Sequence, residues 1–297
     1  MNGRERGFLL LTSHLGDPSR KVLTVPQLRV LAQAVTGSAI PEGEGEVGER
    51  DLMDLGFNRP SAQRILQLLS EEERLDWYLN EGDRNDCLPL TRVSAGYPRK
   101  LRIRLGLDSP GCLWVKGDLT LLKTPAISLV GSRELRKENL AFAVEAGRQA
   151  ALQGFTLISG NARGADTAAQ EACLEASGKV ISIVSDRLTD HPLRKNVLYI
   201  SEDGYDLAFS AQRALSRNRL IHALGQCVLI AQCTLGKGGT WDGTLKNLKD
   251  NWSPVFCFQD NSEAVEQLLQ MGANSICCED LSQLSDLKDE QNLFDQR

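Results

Sequence analysis

Hydrophobic positions change their spacing once along this chain, near residue 86. Before that point they recur at helical intervals. Thr24 and Pro26 form a helix start, and Leu28, Leu31, Ala32 and Val35 supply one apolar face up to a stop at Gly37. Residues 41–48 alternate Glu and Gly and predict an exposed loop. Leu52 to Phe57, with Gly56 between them, precede a second face made of Ala62, Ile65, Leu66 and Leu69. Ser70 and Glu73 read as a capping box for a helix carrying Leu75, Tyr78 and Leu79, closed by Gly82. Helix, glycine turn and helix is the outline of a helix-hairpin-helix unit, and plain packing gives the same pattern. Residues 1–85 therefore read as a small helical N-terminal domain.

Beyond residue 86 the pattern becomes strand alternating with helix. Apolar runs at 125–130, 155–158, 179–185, 206–210, 227–231 and 254–258 predict strands. Leu140, Val144, Gly147 and Ala151 mark one intervening helix. Ala168, Ala169, Ala172, Cys173 and Ala176 give another a small-residue face suited to close packing. Buried strands separated by amphipathic helices predict parallel βαβ units with both sheet faces covered. The fold expected is α/β, a Rossmann-like mainly parallel sheet over residues 86–277, joined to the small helical domain. From Cys278 the sequence turns polar and acidic, and 278–297 reads as a tail.

Composition narrows the function. The 297 residues are 41% hydrophobic and 25% charged, which is ordinary for a globular protein. A net charge of −5 excludes a uniformly basic nucleic-acid binder but leaves room for a local basic groove. Basic residues do cluster, at Arg99, Lys100, Arg102 and Arg104, at Arg133, Arg136 and Lys137, and at Arg213, Arg217 and Arg219. No apolar run approaches the roughly 20 residues of a membrane span, and residues 8–11 are too short for a signal-peptide core. A cytoplasmic protein is expected. Eight cysteines without a C-x-x-C pair, set mostly in apolar surroundings, read as reduced core thiols. Three histidines and no ligand cluster predict no metal.

The candidate chemistry lies in the loops. In an open parallel sheet, ligands bind beyond the carboxyl ends of the strands, near the switch in strand order. The loops after three predicted strands are glycine-rich: Gly131-Ser132-Arg133, then Ser159 to Asp166 with Gly160, Arg163 and Gly164, then Gly236-Lys237-Gly238-Gly239-Thr240. Glycine lets main-chain N–H groups approach a phosphate, a helix N-terminus adds favourable field, and arginine presents a fork of donors. Three such loops at one sheet edge would form an anion cradle. No loop has the Walker spacing or the G-x-G-x-x-G fingerprint, so neither adenosine triphosphate nor a nicotinamide cofactor is expected. Arg217-Asn218-Arg219 at a helix start either orients phosphate or holds the second loop through Asp166. Trp241 either stacks on a base or is buried beneath its loop.

Val130-Gly131-Ser132-Arg133, Ser159-Gly160-x-Ala162-Arg163-Gly164-x-Asp166 and Arg217-Asn218-Arg219, in that order, resemble the core of the DNA-processing protein A (DprA/Smf) family. Tyr97-Pro98-Arg99-Lys100-Leu101 and Leu113 to Leu119 are similar to it as well, so the likeness covers roughly residues 88–277. Ala214-Leu215-Ser216 stands where many members have a proline, and Lys237 to Trp241 where many have a serine-rich loop. The resemblance is to a short form without the winged helix that follows this core in many relatives. It implies a single-stranded-DNA-binding protein that shields DNA and helps load the RecA recombinase in recombination or natural transformation, with a homodimer formed through the Rossmann domain. Matched motifs nominate Gly131, Ser132, Arg133, Ser159, Gly160, Arg163, Gly164, Arg217 and Asn218 as DNA contacts, and the third loop adds Lys237, Gly238, Gly239 and Thr240. No catalytic residue and no cofactor are expected.

Two other functions stay open. A nucleotide-hydrolysing enzyme of a related sheet would need a carboxylate near the sugar. Reading a G-T-x-x-E motif from Gly239 or from Gly243 places Gly243 or Asn247 where the glutamate belongs. A scaffold whose tail recruits partners is the other, since Gln291-Asn292-Leu293-Phe294 faintly resembles a clamp-binding peptide.

Overall fold

The computed structural model describes residues 1–36, 47–202 and 204–287. Five helices come first: α1 (Gly3–Thr12), α2 (Val25–Thr36), α3 (Glu49–Asp54), α4 (Arg59–Leu69) and α5 (Glu72–Arg84). Local chemistry sets their starts. Asn2 and Glu5 cap α1 reciprocally, each side chain accepting from the other's main-chain N–H at 2.9 Å. Asn58 accepts from Ser61 N to start α4, with Pro60 in the first turn. Ser70 departs from its expected role. It closes α4, its hydroxyl donating to the Gln67 carbonyl, and α5 starts after Glu71 without a side-chain cap. The expected stop at Gly37 and most of the 41–48 loop lie outside the described residues.

Nine strands build one sheet: β1 (Leu88–Thr91), β2 (Cys112–Gly117), β3 (Ala126–Val130), β4 (Thr156–Ser159), β5 (Lys179–Val184), β6 (Val197–Glu202), β7 (Val228–Ile230), β8 (Val255–Phe258) and β9 (Asn274–Ile276). Their order is β1-β2-β6-β5-β4-β3-β7-β8-β9. The seven strands from β6 to β9 run parallel, and β2 pairs antiparallel with both β6 and β1. Helices α6 (Arg99–Leu105), α7 (Lys137–Leu152), α8 (Ala165–Glu175), α9 (Ala211–Leu224), α10 (Gly238–Asp250) and α11 (Glu263–Gln270) complete the unit. The mainly parallel α/β fold with its helical N-terminal part is as the sequence predicts. Two apolar cores lie on the two sheet faces, and Leu9, Leu10, Leu75 and Tyr78 of the N-terminal helices belong to one of them. A third, smaller cluster holds Leu52, Ala62, Ile65 and Leu68, so the α3–α4 glycine turn serves packing.

The strand expected at 206–210 is a loop, and the strand is β6, nine residues earlier. Tyr205, Leu207 and Phe209 alternate like a strand, but their neighbours' carbonyls find a different donor. Arg213 donates to the Leu207 carbonyl at 2.8 Å and to that of Ala208 at 3.0 Å. Tyr205 turns inward and stacks on Tyr78, with ring centroids 4.6 Å apart. The expected face of α7 is also rotated. Phe142, Ala143, Ala146, Gly147 and Ala150 are buried, while Leu140 and Val144 are 42% and 40% exposed. Gly147 is needed where α7 crosses α8: a Cβ there would lie 2.1 Å from the Ala169 carbonyl oxygen. The acidic tail begins later than Cys278. Residues 279–286 form a 3-10 segment whose Leu281 and Leu284 are fully buried. Gln291 to Phe294 lie outside the described residues.

Six cysteines are buried, and Cys277 and Cys278 are half-buried. Burial pushes the thiols of Cys87 and Cys173 up to about 11 and those of Cys227 and Cys233 up to about 12. Since the thiolate is the reacting form, an aromatic disulfide reagent should titrate Cys277 and Cys278 in the native protein and all eight only after denaturation. Fast native reaction of more than two thiols would contradict this packing.

Candidate functional site

β3 lies between β4 and β7, and all three are parallel. The chain reaches β4, β5 and β6 on one side of β3 and β7, β8 and β9 on the other, so the switch in strand order falls at β3/β7. The loops after β3, β4 and β7 leave from the same sheet edge. They line one open groove of about 970 Å³ that includes Gly131, Ser132, Arg133, Arg163, Lys237 and Thr240. The expected convergence of the three loops is therefore present.

Hydrogen bonds lace the loops together, and this decides which groups remain for a ligand. Ser132 spends both its main-chain N–H, at 2.9 Å, and its hydroxyl, at 3.2 Å, on the Gln232 carbonyl. Its own carbonyl accepts from Ala165 N, the first residue of α8. Thr240 donates to the Gly131 carbonyl, and Asn218 donates to that of Gly239 at 2.8 Å. Gly164 has φ +95°, and a Cβ there would lie 2.4 Å from the Ser132 carbonyl oxygen. Its glycine character serves the approach of loop to loop as well as any approach of phosphate.

The second loop is fixed from below. Asp166 is buried and accepts from Gly160 N at 3.1 Å and Ala162 N at 3.3 Å. Arg217 is only 7% exposed, and its guanidinium donates to the carbonyls of Gly160 and Ile183, at the ends of β4 and β5. Arg217 lies within α9 rather than at its start, holds the loop through these carbonyls, and also lines the groove. Burial raises the Asp166 carboxyl above its ordinary value, opposed by the charge of Arg217. Burial lowers the Arg217 guanidinium in turn. Ser159 is fully buried beside Asp166, and its hydroxyl acts with the two loop amides to lower that carboxyl against the effect of burial. Arg219 faces elsewhere and pairs with Glu202. Arg136 pairs with Asp260, so it too is spent.

What remains accessible is cationic. Arg133 and Lys237 are exposed and have no acidic partner among the described residues. Arg163 is exposed and lies 3.5 Å from an equally exposed Glu134, an ion pair that water and salt weaken. α10 opens at Gly238 on the groove, so its first N–H groups have no helical partner and its dipole presents positive charge. Trp241 is buried in the apolar core, which settles its role as packing. The sequence reading missed two neighbours. Phe209 is 57% exposed on the groove wall, and it was hidden by the expectation of a strand at 206–210. Gln232 ties the third loop to the first, accepting from Arg136 N at 2.9 Å and donating to the Glu134 carbonyl at 3.1 Å.

This geometry agrees with known proteins. The sequence profile of the family described as DNA recombination-mediator protein A matches residues 89–286. DNA processing protein DprA of Streptococcus pneumoniae is 30% identical over 183 residues, which cover 57% of this chain and 64% of that protein. Protein Smf of Escherichia coli is 30% identical over 200 residues, 63% of this chain and 52% of that protein. The matches thus span between half and two-thirds of those relatives. The crystal structure of the Streptococcus pneumoniae protein superposes with a TM-score of 0.74 at 23% identity, covering 97% of this chain and all of that one. DNA processing protein A of Helicobacter pylori, whose structure is described for its single-stranded DNA binding mode, gives 0.53 at 26% identity over 64% of this chain and 90% of that one. On a profile match spanning well over half of its length, this chain belongs to the DNA recombination-mediator protein A family.

Proposed function

We propose that this protein binds single-stranded DNA along the glycine-loop groove, with Arg133, Arg163 and Lys237 on successive phosphates and the N-terminus of α10 on another. The observation that carries this reading is the pair of exposed cations without acidic partners, Arg133 and Lys237, at the strand-order switch. Ser132, Ser159, Gly160, Gly164, Arg217, Asn218 and Thr240 shape the cradle rather than supply its charge. Gly238, with open space where a Cβ would stand, lets the strand approach the main chain, while Gly131 and Gly239 let their loops close on Ala165 and Asn218. Phe209 offers an aromatic face to a base, a contact worth about 1–3 kcal/mol in such grooves. Membership of a recombination-mediator family and the DNA binding of the Helicobacter pylori relative support the same reading.

The groove favours binding over catalysis. Its carboxylates are Glu134, at the rim, and Asp166, which is committed to two loop amides. Asn247 sits in the core holding His222 and Ser253, and Asp242 lines a different cleft, beside the N-terminal helices. We read the protein as a non-enzymatic, cytoplasmic homodimer that shields the strand and helps RecA load. The direct test is RecA-dependent ATP hydrolysis on a strand pre-coated with single-strand-binding protein. Adding this protein should shorten the lag, and an unchanged lag would remove the loading role. Sedimentation at micromolar concentration should give twice the chain mass, and a monomer with and without DNA would exclude the dimer.

A further inference from the structure

No residue of α1 to α5 lines the glycine-loop groove, yet one of its walls is anchored on α5. Residues 204–209 form a loop ahead of α9, and Phe209 stands at its end, immediately before Ser210, whose hydroxyl caps that helix. Tyr205 stacks on Tyr78 of α5, and its hydroxyl donates to the Tyr78 carbonyl at 3.0 Å. Trp114 of β2 closes this cluster edge-on, with ring centroids 5.2 Å from Tyr78 and 4.7 Å from Tyr205. Gly82, one turn beyond Tyr78, makes the room: a Cβ there would stand 3.2 Å from the Tyr205 ring and 3.0 Å from that of Trp114. The next residue completes the seat, since the Tyr78 hydroxyl donates to Asp206 Oδ1 at 2.6 Å. We propose that Tyr78 is a positioning residue for strand binding, holding the 204–209 loop through Tyr205 and Asp206 so that Phe209 stays presented on the groove wall.

Three observations carry this. The Tyr78–Asp206 bond has the length of a charge-assisted O–H···O⁻ bond, and the tyrosine is only 1% exposed, so water competes poorly for it. Burial, and after it the neighbouring carboxylate, raise the Tyr78 hydroxyl above its ordinary value, which keeps it a donor. The second observation is the loop's main chain. Four consecutive carbonyls are satisfied: that of Tyr205 by Leu188 N at 2.8 Å, that of Asp206 by Arg187 Nε at 3.3 Å, and those of Leu207 and Ala208 by Arg213. A loop so held transmits the seat on α5 to the residue that follows it. The third is Phe209 itself, 57% exposed on the groove wall. A phenyl ring free to move would turn against apolar protein surface and leave the water. Restraint of the four residues before it keeps the ring available, so the ordering cost is met on folding rather than on binding.

This inference rests on the single-strand reading, and the experiment separates the two. A labelled oligothymidine about 12 nucleotides long is titrated with wild type, Tyr78→Phe, Phe209→Ala and the double variant. Tyr78→Phe keeps the ring stack and removes only the bond to Asp206. It should bind about fivefold more weakly, the lower end of what a base–aromatic stack is worth, with an unchanged salt slope because the cations are intact. In the Phe209→Ala background the same change should cost less than about twofold, since no stack is left to place. Asp206→Ala removes the acceptor from a half-buried position without touching the aromatic cluster. It should reproduce the fivefold loss, and combining it with Tyr78→Phe should add nothing further. Hydrogen exchange over 205–209 should quicken in both single variants. Wild-type affinity in a folded Tyr78→Phe or Asp206→Ala protein would overturn the positioning role and leave the single-strand reading intact. So would an equal loss with and without Phe209, the mark of a general loosening of the fold. Failure of wild-type protein to bind the strand would overturn both.

Discussion

Arg217→Ala should lose about 3 kcal/mol of stability and most affinity for single-stranded DNA, although its side chain is only 7% exposed. The guanidinium satisfies the buried carbonyls of Gly160 and Ile183, and its charge opposes the burial of the Asp166 carboxylate. Each orphaned buried acceptor costs about 1–3 kcal/mol, and removing a compensating charge adds to that. The second loop would then lose the support of its first turn. A pH series distinguishes this cause from a generic cavity. Burial raises the folded pKa of Asp166 above its unfolded value, so its protonated form contributes stability below the ordinary carboxylate range. That contribution is lost as pH rises through the folded value. Arg217→Ala raises the folded value further. The deficit should therefore be largest above the folded value and shrink as pH falls through it. Lysine at 217 should not restore binding, because one ammonium does not reproduce a fork that spans two carbonyls. A loss below about 1 kcal/mol with normal DNA binding would show that Arg217 does not hold the loop.

The double replacement Arg133→Ala with Lys237→Ala should act in the opposite way, leaving stability unchanged and weakening DNA binding. Both side chains are exposed and have no acidic partner among the described residues, so neither supports the core. Each phosphate contact on a single strand contributes about 0.7 to the log–log salt slope, so the pair should flatten it by about 1.4. If the electrostatic term vanishes near about 1 M salt, that slope corresponds to roughly tenfold weaker binding at about 0.15 M. The two experiments separate the residues that make the cradle from those that charge it. An unchanged slope in the folded double variant would place the strand elsewhere.

Loop position was legible in the sequence because it follows from periodicity. Apolar runs placed β3, β4 and β7, and parallel strands necessarily deliver their glycine loops to one edge. Side-chain assignment was less legible, because motif order does not say whether an arginine faces solvent. Arg133 and Arg217 both belong to matched motifs, yet one is exposed and the other lies beneath the loop it holds. Where local patterns misled, tertiary partners explain why. Segment 206–210 alternates like a strand but has its carbonyls satisfied by Arg213, which left Phe209 free on the groove wall. In α7, small residues at Ala143, Ala146, Gly147 and Ala150 set the buried face by allowing close approach to α8, overriding the larger Leu140 and Val144. Leu281 and Leu284 were lost to view among acidic neighbours, although two leucines three apart suffice to dock a 3-10 segment.

The central claim is that the accessible cations of the glycine-loop groove hold a single strand, and one titration tests it most directly. Wild-type protein is titrated with a labelled single strand, and with the matching duplex, across a salt series. Single strand should bind tighter than duplex at every salt concentration, with a log–log slope of at least about −2 for Arg133, Arg163 and Lys237 together. Absence of saturable single-strand binding at low salt, or tighter binding of the duplex throughout, would contradict the account.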